Sequence, residues 1–148
     1  WEGVSVALEK NSDAMPGRTL DGMVYVFQVL LENAILRSGL GRDELVTKAD
    51  ISFSKGVFYA TVVNTVANAK LSPCENEKLE KIRESIRTNE SPRRAQSEGR
   101  SGLHKIWLTI NAPVYREPKL NFFFRDDLSF VVELGFKLER LENEHIDN

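Results

Sequence analysis

The sequence predicts an α/β (α+β) domain: a two-layer sandwich in which a mixed, largely antiparallel sheet carries its helices on one face. Three observations lead there. Apolar and polar residues alternate near both ends of the chain and on either side of Lys55-Gly56, the period of a strand. Between these segments apolar residues recur three and four apart, the period of a helix. The resulting order is strand, helix, hairpin, helix, loop, helix, hairpin, and hairpins of this kind bury one face under helices.

Val4, Val6 and Leu8 alternate with Ser5, Ala7 and Glu9 to give the first strand, ended by Asn11-Ser12-Asp13 and Pro16-Gly17. A helix is expected from Leu20 to Ser38, with Met23, Phe27, Leu30, Leu31 and Ala34 on its buried side and Gly39 as its stop. Ile51 and Phe53 alternate with serines, and Val57 to Asn64 is β-branched and aromatic, so Lys55-Gly56 reads as a two-residue hairpin turn.

Ser72-Pro73-Cys74-Glu75 has the spacing of a capping box with proline at the first helical position. The helix it opens has a buried stripe of Leu79, Ile82 and Ile86, while Lys78 and its charged neighbours read as a solvated face. Residues 88–98 are polar and aperiodic and read as a mobile loop. From Ser101 a helix resumes, with Leu103, Ile106, Trp107 and Ile110 on one side, and stops before Pro113. Leu120 to Phe124 and Leu128 to Leu138 form a last hairpin around Arg125-Asp126-Asp127. The domain is expected to span 1–138, with a polar tail at 139–148.

Composition narrows the function classes. The 148 residues suffice for one domain with a sizeable core, and 41% hydrophobic with 28% charged residues is a globular mixture. A net charge of -2 argues for neither nucleic acid nor an anionic membrane as partner. A single cysteine, Cys74, cannot form an internal disulfide or a cysteine-based metal site, and no apolar run comes near the roughly 20 residues of a membrane span. A cytoplasmic location is expected. Because the chain begins at Trp1, a piece of a longer protein is expected, with other domains or a protein partner beside it. No serine, histidine and acid or cysteine and histidine grouping suggests nucleophilic catalysis, and Asp126-Asp127 reads as turn chemistry.

Two signatures remain: Val29-Leu30-Leu31-Glu32-Asn33-Ala34-Ile35 inside the long helix, and Gly99-Arg100-Ser101-Gly102-Leu103 at the start of a later one. Element order and both signatures resemble the GHKL (Bergerat-fold) ATPase domain shared by histidine kinases, gyrases, and chaperone and mismatch-repair ATPases, with the histidine-kinase version the nearest in local text. The resemblance spans residues 4 to 137. It implies ATP and Mg as ligands, with Asn33 as the Mg-liganding amide, Gly99, Ser101, Gly102 and Leu103 at the phosphates, and Asn64 beside adenine.

Magnesium prefers oxygen ligands and substrate phosphates, so one amide oxygen aimed from a helix suits that role. The other reading of Asn33 is a hydrogen bond to a neighbouring loop. Glycines let phosphate approach a helix N-terminus, whose partial positive charge favours it; the other reading of Gly99 to Leu103 is a flexible loop with a glycine cap. The chain departs from the family at three places. Val29 stands where the gyrase and chaperone branches carry a water-activating glutamate, and Glu32 points about 100° away from Asn33, so hydrolysis by the usual base is not expected. His104 stands where a further glycine is common; it either meets a phosphate or is a solvated or hydrogen-bonded side chain. Asn64-Thr65-Val66 replaces the adenine-reading Asp-x-Gly, with Asn64 able to accept one hydrogen bond and Val66 expected to resist the glycine conformation and crowd the pocket.

Two functions follow: a divergent ATP/Mg-binding domain of a larger protein in which 88–100 orders as a lid, or a nucleotide-free pseudo-ATPase serving as an interaction or regulatory module. An open cavity between the helix at 20–38 and the helix from 101 favours the first, and Val66 and Phe58 filling it favours the second.

Overall fold

Alternation around Lys55-Gly56 produces the hairpin it predicts. In the computed structural model, which describes residues 4–8, 15–96 and 101–138, β2 (Thr47–Ser54) and β3 (Val57–Thr65) pair antiparallel across that turn. Lys55 and Gly56 have φ of 52° and 76°, the left-handed pair whose twist suits a two-residue hairpin. β1 (Val4–Leu8) runs parallel to β2, and β4 (Tyr115–Arg125) and β5 (Ser129–Leu138) complete a five-stranded sheet in the order β1-β2-β3-β5-β4. The mixed, largely antiparallel α+β sandwich is therefore the fold observed. The turn expected at 11–13 and the tail at 139–148 lie outside the described residues.

Register sets the core. Phe58, Ala60 and Val62 of β3 stand opposite Phe136, Leu134 and Val132 of β5, so both strands turn the same alternate residues inward. Phe58 stacks on Phe136 at 5.0 Å between ring centroids, and Tyr115 leans on Phe136 at 4.2 Å. Helix α1 (Gly17–Arg37) lays Met23, Val26 and Leu30 on this surface, and α4 (Gly102–Ile110) adds Ile106 and Ile110, both fully buried. Burying each of these side chains contributes about 1.5–3 kcal/mol. The opposite sheet face stays polar at Lys48 and Asp50.

Three expectations are corrected. α1 is 21 residues long and, by length and composition alone, apolar enough to cross a membrane; in this fold its inner side packs on the sheet while Val24 and Leu36 remain exposed. Residues 88–96 are not a loop throughout, because Ser91–Ala95 form a short helix, α3, whose Ser91 is fully buried. β4 begins at Tyr115 rather than Leu120; Pro118 hid it, yet on an edge strand a missing N–H is tolerated, and the pairing shifts register between Arg116 and Lys119. A one-turn 3-10 helix at Asn68–Leu71, with no sequence signal of its own, leads into α2 (Pro73–Arg87). There the capping prediction holds, since the Glu75 N–H donates to Ser72 Oγ at 3.3 Å.

Candidate functional site

Between α1, α2, α4 and the inner ends of β3 and β5 lies a cavity of about 240 Å³. Val62 and Val132 form its sheet wall, which reaches polar Asn64 near the end of β3. Of the sequence-predicted residues, Asn33, Asn64, Gly102 and Leu103 converge on it. Ser101 is buried beside them at the start of α4 but does not line the cavity, and its side chain makes no capping hydrogen bond. Gly99 lies outside the described residues.

Asn33 and Gly102 touch. A β-carbon added to Gly102 would lie 2.2 Å from Asn33 Nδ2 and 2.6 Å from Oδ1. Glycine at 102 thus lets the Asn33 amide lie against the start of α4, and a β-carbon there would make the Asn33 side chain move aside. Asn33 lines the cavity, and among the described residues its side chain makes no hydrogen bond. No group of three or more histidine, cysteine or acidic side chains among the described residues could hold a metal, so a hard cation here would take most of its oxygens from a ligand's phosphates. The donor set fits Mg on those terms.

At the opposite wall Asn64 is buried, and its Nδ2 donates to the Thr65 carbonyl at 2.9 Å. That bond fixes the amide so that Oδ1 is the group left to accept. Val66 lines the cavity with its N–H bonded to the Leu128 carbonyl at 2.9 Å. The expectation of backbone resistance is corrected: Val66 is not among the residues with positive φ, so it needs no glycine conformation and acts by size alone. Phe58 belongs to the core and does not line the cavity.

The charges around the cavity were not legible as a group. Among the described residues, Arg37, Lys70 and Lys78 line it with one carboxylate, Glu75. Arg37 follows Asn33 by four residues and could have been found from helical spacing. Lys78 lay within the charge run read as solvated, and that reading is corrected for it. Three cations against one acid leave a positive surplus at the edge of an otherwise apolar space, a setting suited to an anionic ligand with an apolar body.

The remaining candidates fall elsewhere. Val29 is buried in the core, Glu32 accepts from Gln28 Nε2 at 3.0 Å, and neither lines the cavity. His104 is buried, with Nδ1 3.1 Å from Ser91 Oγ, and does not reach the cavity; the phosphate-contact reading is corrected. Burial first, then the Arg94 charge, holds its pKa below the ordinary value, with Glu90 opposing. Arg94 pairs with Glu90 instead of reaching the cavity. Asp127 accepts from Ser129 Oγ and pairs with Arg125 at 3.3 Å, as turn chemistry requires. Cys74 is an exposed free thiol.

With this geometry in view, a family model described as "y4jQ C-terminal putative histidine kinase domain" matches residues 5–138. The solved structure of the blue-light activated histidine kinase of Erythrobacter litoralis EL346 is similar, with a TM-score of 0.52 at 15% sequence identity over 93% of this chain. At that identity the likeness shows the fold alone, and the chain spans 36% of that kinase's length. No curated protein matches the chain.

Proposed function

We propose that this chain, which belongs to the family of the y4jQ C-terminal putative histidine kinase domain, is a GHKL-type domain that holds ATP with Mg in the cavity between α1 and α4. The observation that carries this reading is the convergence of Asn33, Gly102 and the Asn64 amide on one open cavity from three distant parts of the chain. In it, Asn33 Oδ1 holds the cation, the start of α4 at Gly102 receives phosphate, and Asn64 Oδ1 accepts from the 6-amino group of adenine. Mg would neutralise phosphate charge and orient the terminal phosphoryl group.

Core placement of Val29 supports a domain that keeps ATP for transfer to an acceptor on another segment or a partner protein, rather than one that activates water. His104, buried and bonded to Ser91, is not such an acceptor. A second reading, a nucleotide-free interaction module, is favoured by one observation: the Val66 side chain stands in the cavity wall, where the GHKL resemblance implies glycine.

Thermal unfolding separates the two. A ligand that binds only the folded state stabilises it by about 2.7 kcal/mol at a hundred times its Kd. ATP with Mg at about millimolar concentration is expected to raise the Tm, and GTP to raise it less, since Asn64 Oδ1 faces a 6-oxo group in guanine. No shift with either nucleotide would favour the interaction module.

A further inference from the structure

Glu75, in the first turn of α2, gives Oε1 to Lys78 one turn on, and its Oε2 stands 3.9 Å from Lys70 Nζ at the end of the 3-10 helix. The three side chains are only 26%, 23% and 34% exposed for Lys70, Glu75 and Lys78, unlike Glu84 and Arg87 further along the same helix at 57% and 75%. An ion pair in open solvent contributes little, but charges at the edge of an apolar cavity interact through a lower effective dielectric. One carboxylate also cannot neutralise two ammonium groups. A polyphosphate offers more charge and more acceptor oxygens than Glu75, and charge-assisted hydrogen bonds of that kind are the stronger ones.

We infer that Lys70 and Lys78 are anion contacts of the cavity and that Glu75 is their resident competitor. Ligand phosphate takes the ammonium groups over from the carboxylate, and Glu75 thereby sets how much negative charge a ligand must carry to bind. The ligand class is an apolar or aromatic body joined to two or more negative charges, so adenosine gains nothing from this device and ATP gains most. The inference rests on the nucleotide reading of the cavity.

Calorimetric titration of the 148-residue chain with ATP and Mg, and separately with adenosine, tests it in the native protein, Glu75→Gln and Lys78→Met. Glu75→Gln is expected to tighten ATP at least about threefold and Lys78→Met to weaken it by a similar factor, both narrowing with added salt and both leaving adenosine unchanged. Should both variants bind ATP as the native chain does, or should Glu75→Gln weaken it, the inference is overturned while the nucleotide reading stands. A native chain that binds neither ATP nor adenosine overturns both.

Discussion

Asn33 and Gly102, 69 positions apart, are in such close contact that a β-carbon at 102 would stand 2.2 Å from Asn33 Nδ2. Helix α4 therefore starts against the one amide that α1 offers to the cavity, and a single methyl group tests the arrangement. Gly102→Ala is expected to cost up to about 1 kcal/mol of stability, since the end of the Asn33 side chain can move aside, and to weaken ATP binding. Asn33→Ala in the same chain should restore most of the stability, read by denaturant unfolding, but not the binding. Additive losses in the double variant would contradict the contact.

The core rests on facing aromatics in β3 and β5. Phe136 touches both Phe58 and Tyr115 and is 2% exposed. Phe136→Ala should cost about 3–5 kcal/mol in equilibrium unfolding. A loss under about 1 kcal/mol would mean that the sheet does not have this register.

These two regions were legible to different degrees. The two hairpins were readable because Ile51 and Phe53, like Leu134 and Phe136, keep a period of two and Lys55-Gly56 marks one of the turns, whereas the pairing of β3 with β5 was not. The ends of α1 and β4 were not, since Pro16 and Pro118 read as breaks although one precedes a helix and the other lies on an edge strand. In the site, Asn33 and Gly102 were readable from their local text. Lys70, Glu75 and Lys78 were not, because what brings them to the cavity is the 3-10 turn and the docking of α2, neither of which leaves a pattern along the chain. The same holds for His104: helical position says nothing of the Ser91 hydroxyl waiting in α3.

That histidine makes stability depend on pH. Its folded pKa is held below the ordinary 6.5, so between the two values the unfolded chain binds more protons than the folded one. The contribution is fully present above the unfolded value and is lost as pH falls through it toward the folded one. Unfolding free energy should thus decline as pH drops below about 6.5, and His104→Gln should flatten the decline. An unchanged profile in that variant would assign the dependence to other groups.

Val66 limits the cavity by size, not backbone strain. Val66→Gly is expected to weaken the fold by about 2 kcal/mol or more through lost burial and added chain entropy, yet to bind ATP at least as tightly as the native chain. Weaker binding by a variant that remains folded would show that the valine side chain contributes to the ligand contact.

In the nucleotide reading, one amide on α1 and a glycine at the start of α4 form the phosphate side of the site. Calorimetric titration with ATP in the presence and absence of Mg, on the native chain and on Asn33→Ala, tests it most directly. Binding that Mg strengthens is expected in the native chain, with most of that Mg dependence lost in a variant that stays folded. Equal Mg dependence in the two chains, or no heat from the native chain at about millimolar ATP, would contradict it.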